Sequence, residues 1–236
     1  RRGTLRVVLP RHEQGGIFAA DGYARATGKV GVCMTTSGPG ATNLVTGVAN
    51  AFADSIPLVV ITGQVNMQLI GRNAFQETDI FGVTLPICKY SYLITDVKDI
   101  PRVVKEAFYI ASTGRPGPVI VDIPKNIQQT LTQLPEDWSA PVSLRSYKPD
   151  RKATDEQLQK VLELIEHSKE RLLYVGWGVI SSNGSDDLRK FVKLTQIPVT
   201  TTLMGKGSFP ENDPLSLQML GMHGTAYANW ATRETD

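Results

Sequence analysis

Two short stretches of the sequence hold residue types that could act chemically on a ligand. Residues 11–16 read Arg-His-Glu-Gln-Gly-Gly, and Glu13 among them offers a carboxylate that can accept a hydrogen bond or hold a proton. Residues 37–43 read Ser-Gly-Pro-Gly-Ala-Thr-Asn, and their glycines let backbone N–H groups approach a ligand closely. Spacing alone leaves a structural role open for both, because a first-turn glutamate also complements the helix dipole and a tight strand-to-helix turn needs no ligand.

The elements around Glu13 are predicted to hold it at the edge of a sheet. Residues 5–9 are a β-branched run that Pro10 ends, so we expect a short strand with Glu13 just past its carboxyl end. Ligands bind at that edge in open α/β sheets. A helix is then expected from Glu13 to a Gly28 cap. The apolar positions at helical spacing are Ile17, Ala20, Ala24 and Thr27.

Strand-like and helix-like segments continue to alternate, which predicts an α/β fold with a doubly wound, mostly parallel sheet. We expect strands at residues 31–36, 57–62 and 119–124, and a helix at residues 41–54. A further helix is expected after Asp99, its predicted cap, with a buried stripe of Val103, Val104, Ala107, Phe108 and Ala111. Residues 64–79 lack a clean period and predict a loop with a short helix, in which Phe75 could simply be a core aromatic.

The second half of the chain predicts a linker and a further α/β unit. Prolines recur and periodicity disappears in residues 127–150, where Trp138 and Tyr147 are expected to hold the linker on a surface. A capping box at residues 154–157 then opens a helix with Leu158, Val161, Leu162 and Ile165 at helical spacing. Strands are expected at residues 172–175 and 197–202, with a helix at 185–195 between them. The predicted domains are therefore residues 1–126 and 151–236, joined by the linker 127–150.

Composition argues against several classes of function. A chain of 236 residues with 41% apolar residues can bury one or two full cores. A net charge of +2 does not indicate the basic surface that binds nucleic acid or an anionic membrane. The longest apolar runs have strand length, so we expect neither a membrane span nor a signal peptide. Cys33 and Cys88 stand in apolar stretches without metal-ligand spacing, which predicts buried free thiols in a reducing compartment and no metal site.

Six motifs lie in residues 11–16, 21–25, 36–43, 53–57, 61–64 and 74–78. Together they resemble the pyrimidine-binding domain of thiamine-diphosphate enzymes and, within that superfamily, the large catalytic subunits of acetolactate (acetohydroxyacid) synthases. The resemblance implies a pyrimidine-binding domain without its first elements, followed by part of a central FAD-binding-type domain, so we expect a fragment of the family's subunit. The implied activity joins two 2-oxo acids with loss of CO₂, pyruvate with pyruvate or 2-oxobutanoate, on the way to isoleucine, valine and leucine.

The resemblance also assigns a site to the first domain. Glu13 would hydrogen-bond the pyrimidine ring nitrogen of thiamine diphosphate from a dry pocket and so make the cofactor's own aminopyrimidine basic enough to deprotonate the thiazolium carbon. The other residues implied here are Gly40 and Ala41 along the cofactor pocket, Gln76 beside the thiamine, and Phe75 and Lys125 at the substrate channel. An exposed lysine after a strand is also commonly just solvated.

For the second cofactor, the resemblance implies a structural rather than redox-active FAD. The matching positions are Arg115, Gly176, Gly178, Thr202, Leu203, Met204, Leu220, Gly221, Met222 and His223. The sequence departs from the family in two places: Trp177 takes the middle position of the glycine turn, and residues 66–68 are Asn-Met-Gln where many relatives have proline and arginine. The family holds Mg²⁺ and the diphosphate at a Gly-Asp-Gly motif in a third domain, and the sequence contains no such motif, so Mg²⁺ is expected with no ligand from this chain.

Partners and location follow from the same resemblance. It implies a homodimer or homotetramer with the active site between subunits, a possible regulatory small subunit, and an inactive isolated chain. The cytoplasm is expected, or a plastid or mitochondrion for a eukaryotic precursor. Glyoxylate carboligase, pyruvate oxidase, the flavin-free catabolic acetolactate synthase and an inert flavin- or nucleotide-binding fragment remain alternatives, although glyoxylate carboligase usually lacks the glutamate at the position of Glu13.

Overall fold

The computed structural model describes residues 5–135, 137, 140–149 and 152–236. The chain divides into two compact units, with the division between residues 150 and 151. Trp138, expected to hold the linker on a surface, lies outside the described residues. In the described part of the chain, no helix is both long enough and apolar enough to cross a membrane.

The first unit contains one four-stranded parallel sheet with helices between its strands. The strands run in the order β1-β2-β4-β3, and every neighbouring pair is parallel. Their bounds are β1 Gly31–Thr35, β2 Leu58–Gln64, β3 Tyr90–Leu93 and β4 Pro118–Pro124. The helices are α1 Glu13–Thr27, α2 Pro39–Thr42, α3 Val45–Ala53, α4 Ile80–Thr84, α5 Ile100–Ser112 and α6 Lys125–Gln129, with short 3₁₀ turns at Met67–Leu69, Leu85–Ile87 and Val97–Asp99.

The core of this unit lies on the two central strands, β2 and β4. Val59, Val119 and Val121 are fully buried, and they pack in one cluster with Ala107 and Ala111 of α5. Apolar runs without alternation are what parallel strands covered on both faces require. The predicted parallel α/β sheet with flanking helices is therefore confirmed.

Three of the expected elements differ in the structure. Residues 5–9 form no strand, and their apolar side chains are exposed because the run pairs with no strand of the described chain. The single helix expected at residues 41–54 is two helices, α2 and α3, with α2 beginning at Pro39 where proline is tolerated. Asp99 precedes α5 but makes no side-chain cap, because its carboxylate accepts a hydrogen bond from Arg102 instead.

In α1 and α5, one residue expected to be buried is exposed, and a charged residue is buried instead. Thr27 is exposed, and Asp21 of α1 is buried in the helix interface instead. Phe108 is exposed and Glu106 is buried in α5, since Glu106 hydrogen-bonds Tyr92 and Arg102. The α-helical spacing in both segments is correct, but a charged side chain with partners can take an interior position that hydrophobicity alone would not assign to it.

The second unit contains a smaller parallel sheet of three strands in the order β5-β6-β7. The strands are β5 Leu173–Val175, β6 Val199–Thr201 and β7 Ser216–Met219, and the helices are α7 Asp155–His167, α8 Trp177–Ser181, α9 Ser185–Thr195 and α10 Ala226–Glu234. The predicted capping box is present, since Thr154 and Gln157 cap α7 reciprocally. No residue of α7 is buried, so the apolar spacing of that helix predicts its structure but not its burial.

Candidate functional site

A cavity of about 880 Å³ opens at the carboxyl edge of the first unit's sheet. Its wall includes residues that follow β1, β2 and β4, which is the edge where parallel α/β sheets bind ligands. Phe75, Gln76 and Lys125 all line this cavity, so the structure brings the neighbouring residues Phe75 and Gln76 together with Lys125, which is distant in the sequence. Phe75 is 88% exposed, which excludes the alternative of a core aromatic in the described chain.

Glu13 lies at the first residue of α1 and is half-buried. Its Oε2 accepts a hydrogen bond from Nδ2 of Asn43 at 3.0 Å. This hydrogen bond is the largest influence on the carboxyl and lowers the pKa of Glu13, in the same direction as its own backbone N–H and nearby His12 and against partial burial. In the described chain, hydrogen bonding therefore outweighs partial burial in its effect on the pKa of Glu13, and the dry pocket stays a prediction.

The glycine turn connects Glu13 with the cavity. A Cβ on Gly40 would lie 2.7 Å from Cγ2 of Thr36, 2.8 Å from Oγ1 of Thr35 and 3.6 Å from Oε1 of Glu13. Thr35 and Thr36 also line the cavity, and Oγ1 of Thr35 is a buried oxygen with no hydrogen-bond partner among the described residues. A buried hydroxyl without a partner is a position at which a ligand could supply the missing hydrogen bond.

The other glycine of the turn faces the loop that carries Gln76. Gly38 has φ 58° and ψ −122°, a backbone conformation that glycine adopts without strain and other residues do not. A Cβ at this position would lie within 3 Å of the backbone of Gln76. Gln76 itself has φ 58°. Ala41 is 1% exposed, and Glu13, Gly40 and Ala41 are not among the residues that line the cavity. The position of a Cβ on Gly40, 3.6 Å from Oε1 of Glu13, places Gly40 beside that carboxylate.

A buried polar network lies beneath the cavity, and the sequence reasoning missed it. Asp122 on β4 accepts hydrogen bonds from Oγ1 of Thr62 at 2.6 Å and Nε2 of Gln64 at 3.0 Å. Burial raises the pKa of Asp122 to about 6, against those two hydrogen bonds. Gln64 also donates to the carbonyl of Thr78, which ties the Gln76 loop to the sheet. The sequence signal that could have predicted this network is Asp122, an acidic residue inside an otherwise apolar strand.

Two basic residues of the first unit have structural partners. Arg115, expected near FAD, donates to Oγ of Ser55 at 2.7 Å and to the carbonyl of Ala53. Lys89 donates to the hydroxyl of Tyr147, which in turn donates to the carbonyl of Thr113. Tyr147 therefore holds its part of the linker against the first unit.

In the second unit, the residues expected at FAD follow three parallel strands. Gly176 follows β5 and precedes α8, Thr202 follows β6, and Leu220 follows β7, so the three loops lie at one edge of the sheet. The side chains of Leu203 and Met222 are exposed, as is His223.

The described residues contain no group of three or more His, Cys, Asp or Glu arranged to hold a metal ion, and Cys33 and Cys88 are buried free thiols.

In comparisons with known proteins, the two halves of the chain match two different domain families. Residues 1–83 match the family model "Thiamine pyrophosphate enzyme, N-terminal TPP binding domain", and residues 158–236 match "Thiamine pyrophosphate enzyme, central domain". The chain is 58% identical over 238 aligned residues to acetolactate synthase 3, chloroplastic, of Brassica napus, and that alignment covers 100% of the chain and 36% of the relative. It is 56% identical to the chloroplastic acetolactate synthase of Arabidopsis thaliana over 100% of the chain and 35% of that relative.

A bacterial relative gives the same result. The acetolactate synthase large subunit of Parasynechococcus marenigrum is 55% identical over 99% of the chain and 38% of the relative. The chain thus spans about a third of the length of these relatives. The chain belongs to the thiamine pyrophosphate enzymes, and within that family its sequence is similar from end to end to acetolactate synthase large subunits.

Proposed function

We propose that this chain is the pyrimidine-binding and central part of an acetolactate synthase, which condenses two 2-oxo acids with loss of CO₂ in branched-chain amino acid biosynthesis. The observation that carries the proposal is the identity of 55 to 58% over 99 to 100% of the chain to three acetolactate synthases. The proposed domains are residues 1–126 and 151–236, joined by the linker 127–150. The proposed compartment is a plastid or a bacterial cytoplasm, in keeping with the chloroplastic and bacterial relatives.

The first unit fits the pyrimidine end of thiamine diphosphate. The hydrogen bond from Asn43 lowers the pKa of Glu13 and so favours its carboxylate form, which would hold a proton at the pyrimidine ring nitrogen through a charge-assisted hydrogen bond. Gly40 leaves room beside Oε1 of Glu13, and the Thr35 hydroxyl has no hydrogen-bond partner among the residues that the structure describes. When bound, thiamine diphosphate supplies the nucleophilic carbon for the condensation. The desolvation that Glu13 lacks in the described chain would come from a partner subunit in a homodimer or homotetramer.

The three residues that line the cavity have further proposed roles. Gln76 would lie beside the thiamine, Phe75 would exclude water from the channel, and the ammonium of Lys125 would attract an anionic 2-oxo acid. FAD would bind along the carboxyl edge of the second sheet, at the residues of the second unit given above. Mg²⁺ would be held outside this chain, as the resemblance to the family implies.

The test uses a chimera in which this chain replaces the corresponding segment of the Arabidopsis thaliana enzyme. We expect the chimera to form acetolactate from pyruvate, and Glu13→Gln to lower the rate by about 10² to 10⁴ because it removes the carboxylate that holds the proton. Glu166→Gln, which changes an exposed carboxylate of α7, is the matched control and should leave the rate unchanged. An active Glu13→Gln chimera would contradict the role of Glu13, and an inactive unmutated chimera that binds flavin would favour the flavin-binding alternative.

A further inference from the structure

Asn43 touches the carboxylate on which the proposed function depends. Its Nδ2 lies 3.0 Å from Oε2 of Glu13, and both side chains are half-buried. Only the NH₂ end of an amide can donate to a carboxylate, so the chemistry fixes which way the Asn43 amide points. The contact joins two residues that are 30 positions apart in sequence.

We propose that Asn43 is a positioning residue that holds the Glu13 carboxylate in one orientation, with Oε2 on the Asn43 amide and Oε1 directed to the glycine turn for the ring nitrogen of a pyrimidine ligand. The inference rests on the proposed function of Glu13. Glutamate is among the side chains that lose most rotamer freedom on ordering, so a carboxylate without this contact would sample several positions. The amide removes that freedom before a ligand arrives.

Close packing of α1 against α3 explains why the two side chains meet. A Cβ on Gly47 would lie 2.3 Å from Cγ2 of Ile17, so the two helices approach closely at this pair. Glu13 stands four residues before Ile17 in α1, and Asn43 stands in the turn between α2 and α3, four residues before Gly47, so both residues precede the Ile17–Gly47 contact along the chain. The backbone of Asn43 is helical and its N–H donates to the carbonyl of Pro39 at 3.0 Å.

The same interface supplies a matched control. One turn after the Ile17–Gly47 contact, Nδ2 of Asn50 lies 3.4 Å from Oδ2 of Asp21, so a second amide meets a second carboxylate of α1. Asn50 is half-buried like Asn43. A substitution at Asn50 therefore removes a similar contact between an amide and a carboxylate of α1 without touching Glu13.

Two other titratable groups interact electrostatically with Glu13 and must be held constant. His12 precedes Glu13 and favours its ionised form. Cys33 on β1 is buried, and its thiol pKa is raised mainly by that burial and further by the charge of Glu13. Neither residue changes in the variants below, so a change in Glu13 titration reports the contact with Asn43.

The experiment is a carbon-13 NMR titration of the side-chain carboxyl of Glu13 in the 236-residue chain, with the resonance assigned by its loss in Glu13→Gln. We expect the Glu13 pKa to rise in Asn43→Leu, because the donor is lost, and to rise further in Asn43→Asp, because a like charge is added. Asn50→Leu should leave it at the wild-type value. Far-UV circular dichroism checks that each variant is folded.

A second measurement separates positioning from simple loss of structure. In the chimera, Asn43→Leu should lower kcat about tenfold or more with the KM for pyruvate within about twofold, since Glu13 is present but less often oriented. An unchanged Glu13 pKa in both Asn43 variants, or an equal rise in Asn50→Leu, would overturn the inference. If Glu13→Gln stays active, the proposed function fails instead, and the titration still decides whether Asn43 holds the carboxylate.

Discussion

Gly38 gives the sharpest test of the site geometry, because replacing it by alanine combines two separable costs. A non-glycine residue at φ 58° and ψ −122° is strained by about 1 to 3 kcal/mol. The added Cβ would also lie 2.7 Å from the carbonyl oxygen of Gln76 and 2.9 Å from its Cα, so the Gln76 loop must move, at a further cost of about 1 to 3 kcal/mol. We expect Gly38→Ala to lower the free energy of unfolding of the first unit by about 2 to 6 kcal/mol.

Two other glycines of the same unit separate these costs. Gly28 has φ 68° but no atom within 4 Å of a Cβ, so Gly28→Ala should show conformational strain alone, about 1 to 2 kcal/mol. Gly22 lies inside α1 with open space around it, so Gly22→Ala should stabilise the unit by about 0.5 to 1 kcal/mol. Only Gly38→Ala has a Cβ that meets the Gln76 backbone.

Hydrogen exchange of the β2 amides in urea measures the stability of the first unit separately from the second. The ranking we expect, from most to least stable, is Gly22→Ala, wild type, Gly28→Ala and Gly38→Ala. The Gln76 loop should also exchange faster in Gly38→Ala than in Gly28→Ala, because it has been displaced. If Gly38→Ala matched Gly28→Ala in both measurements, the close approach of the turn to the Gln76 loop would be wrong.

Two further predictions concern buried titratable groups. Burial raises the pKa of Asp122 to about 6 from 3.8, so the folded state holds its proton more tightly and the unit loses about 3 kcal/mol from this group as pH rises from well below 4 to well above 6, at 1.36 kcal/mol per pH unit. Urea unfolding at pH 4 and pH 7 should therefore favour Asp122→Asn over wild type by about 2 kcal/mol more at the higher pH, and a constant difference would contradict the assignment. Burial raises the pKa of Cys33 and Cys88, so both thiols should react with a disulfide reagent at pH 8 much more slowly in the native chain than in urea; equal rates would contradict their burial.

The boundaries of most elements follow from local patterns in the sequence. Gly28 ends α1 in a left-handed conformation, the Thr154 and Gln157 capping box opens α7, and α9 covers the predicted residues 185–195. These signals act within one helical turn, so a single sequence contains all that they need. The assignment of the chain to thiamine-diphosphate enzymes likewise needed only the motifs, and the comparisons confirm it.

Residues 5–9 mark the limit of that reasoning. Their composition is typical of a strand, but a strand forms only where another strand offers hydrogen bonds, and the run has no such neighbour in the described chain. The strand β3, Tyr90–Leu93, is the reverse case, because a short polar-aromatic segment pairs with β4 although its composition gives no strong signal. Pairing is a property of the tertiary structure.

The sequence by itself determined which residues could do chemistry, namely Glu13, the glycine turn, and the trio Phe75, Gln76 and Lys125. Only the tertiary structure decided that the trio shares one cavity, that Asn43 donates a hydrogen bond to Glu13, and that this hydrogen bond lowers the pKa of Glu13. Residue types and short spacings are local information, whereas a contact over 30 positions depends on how closely two helices pack, which here is set by the absence of a side chain at Gly47.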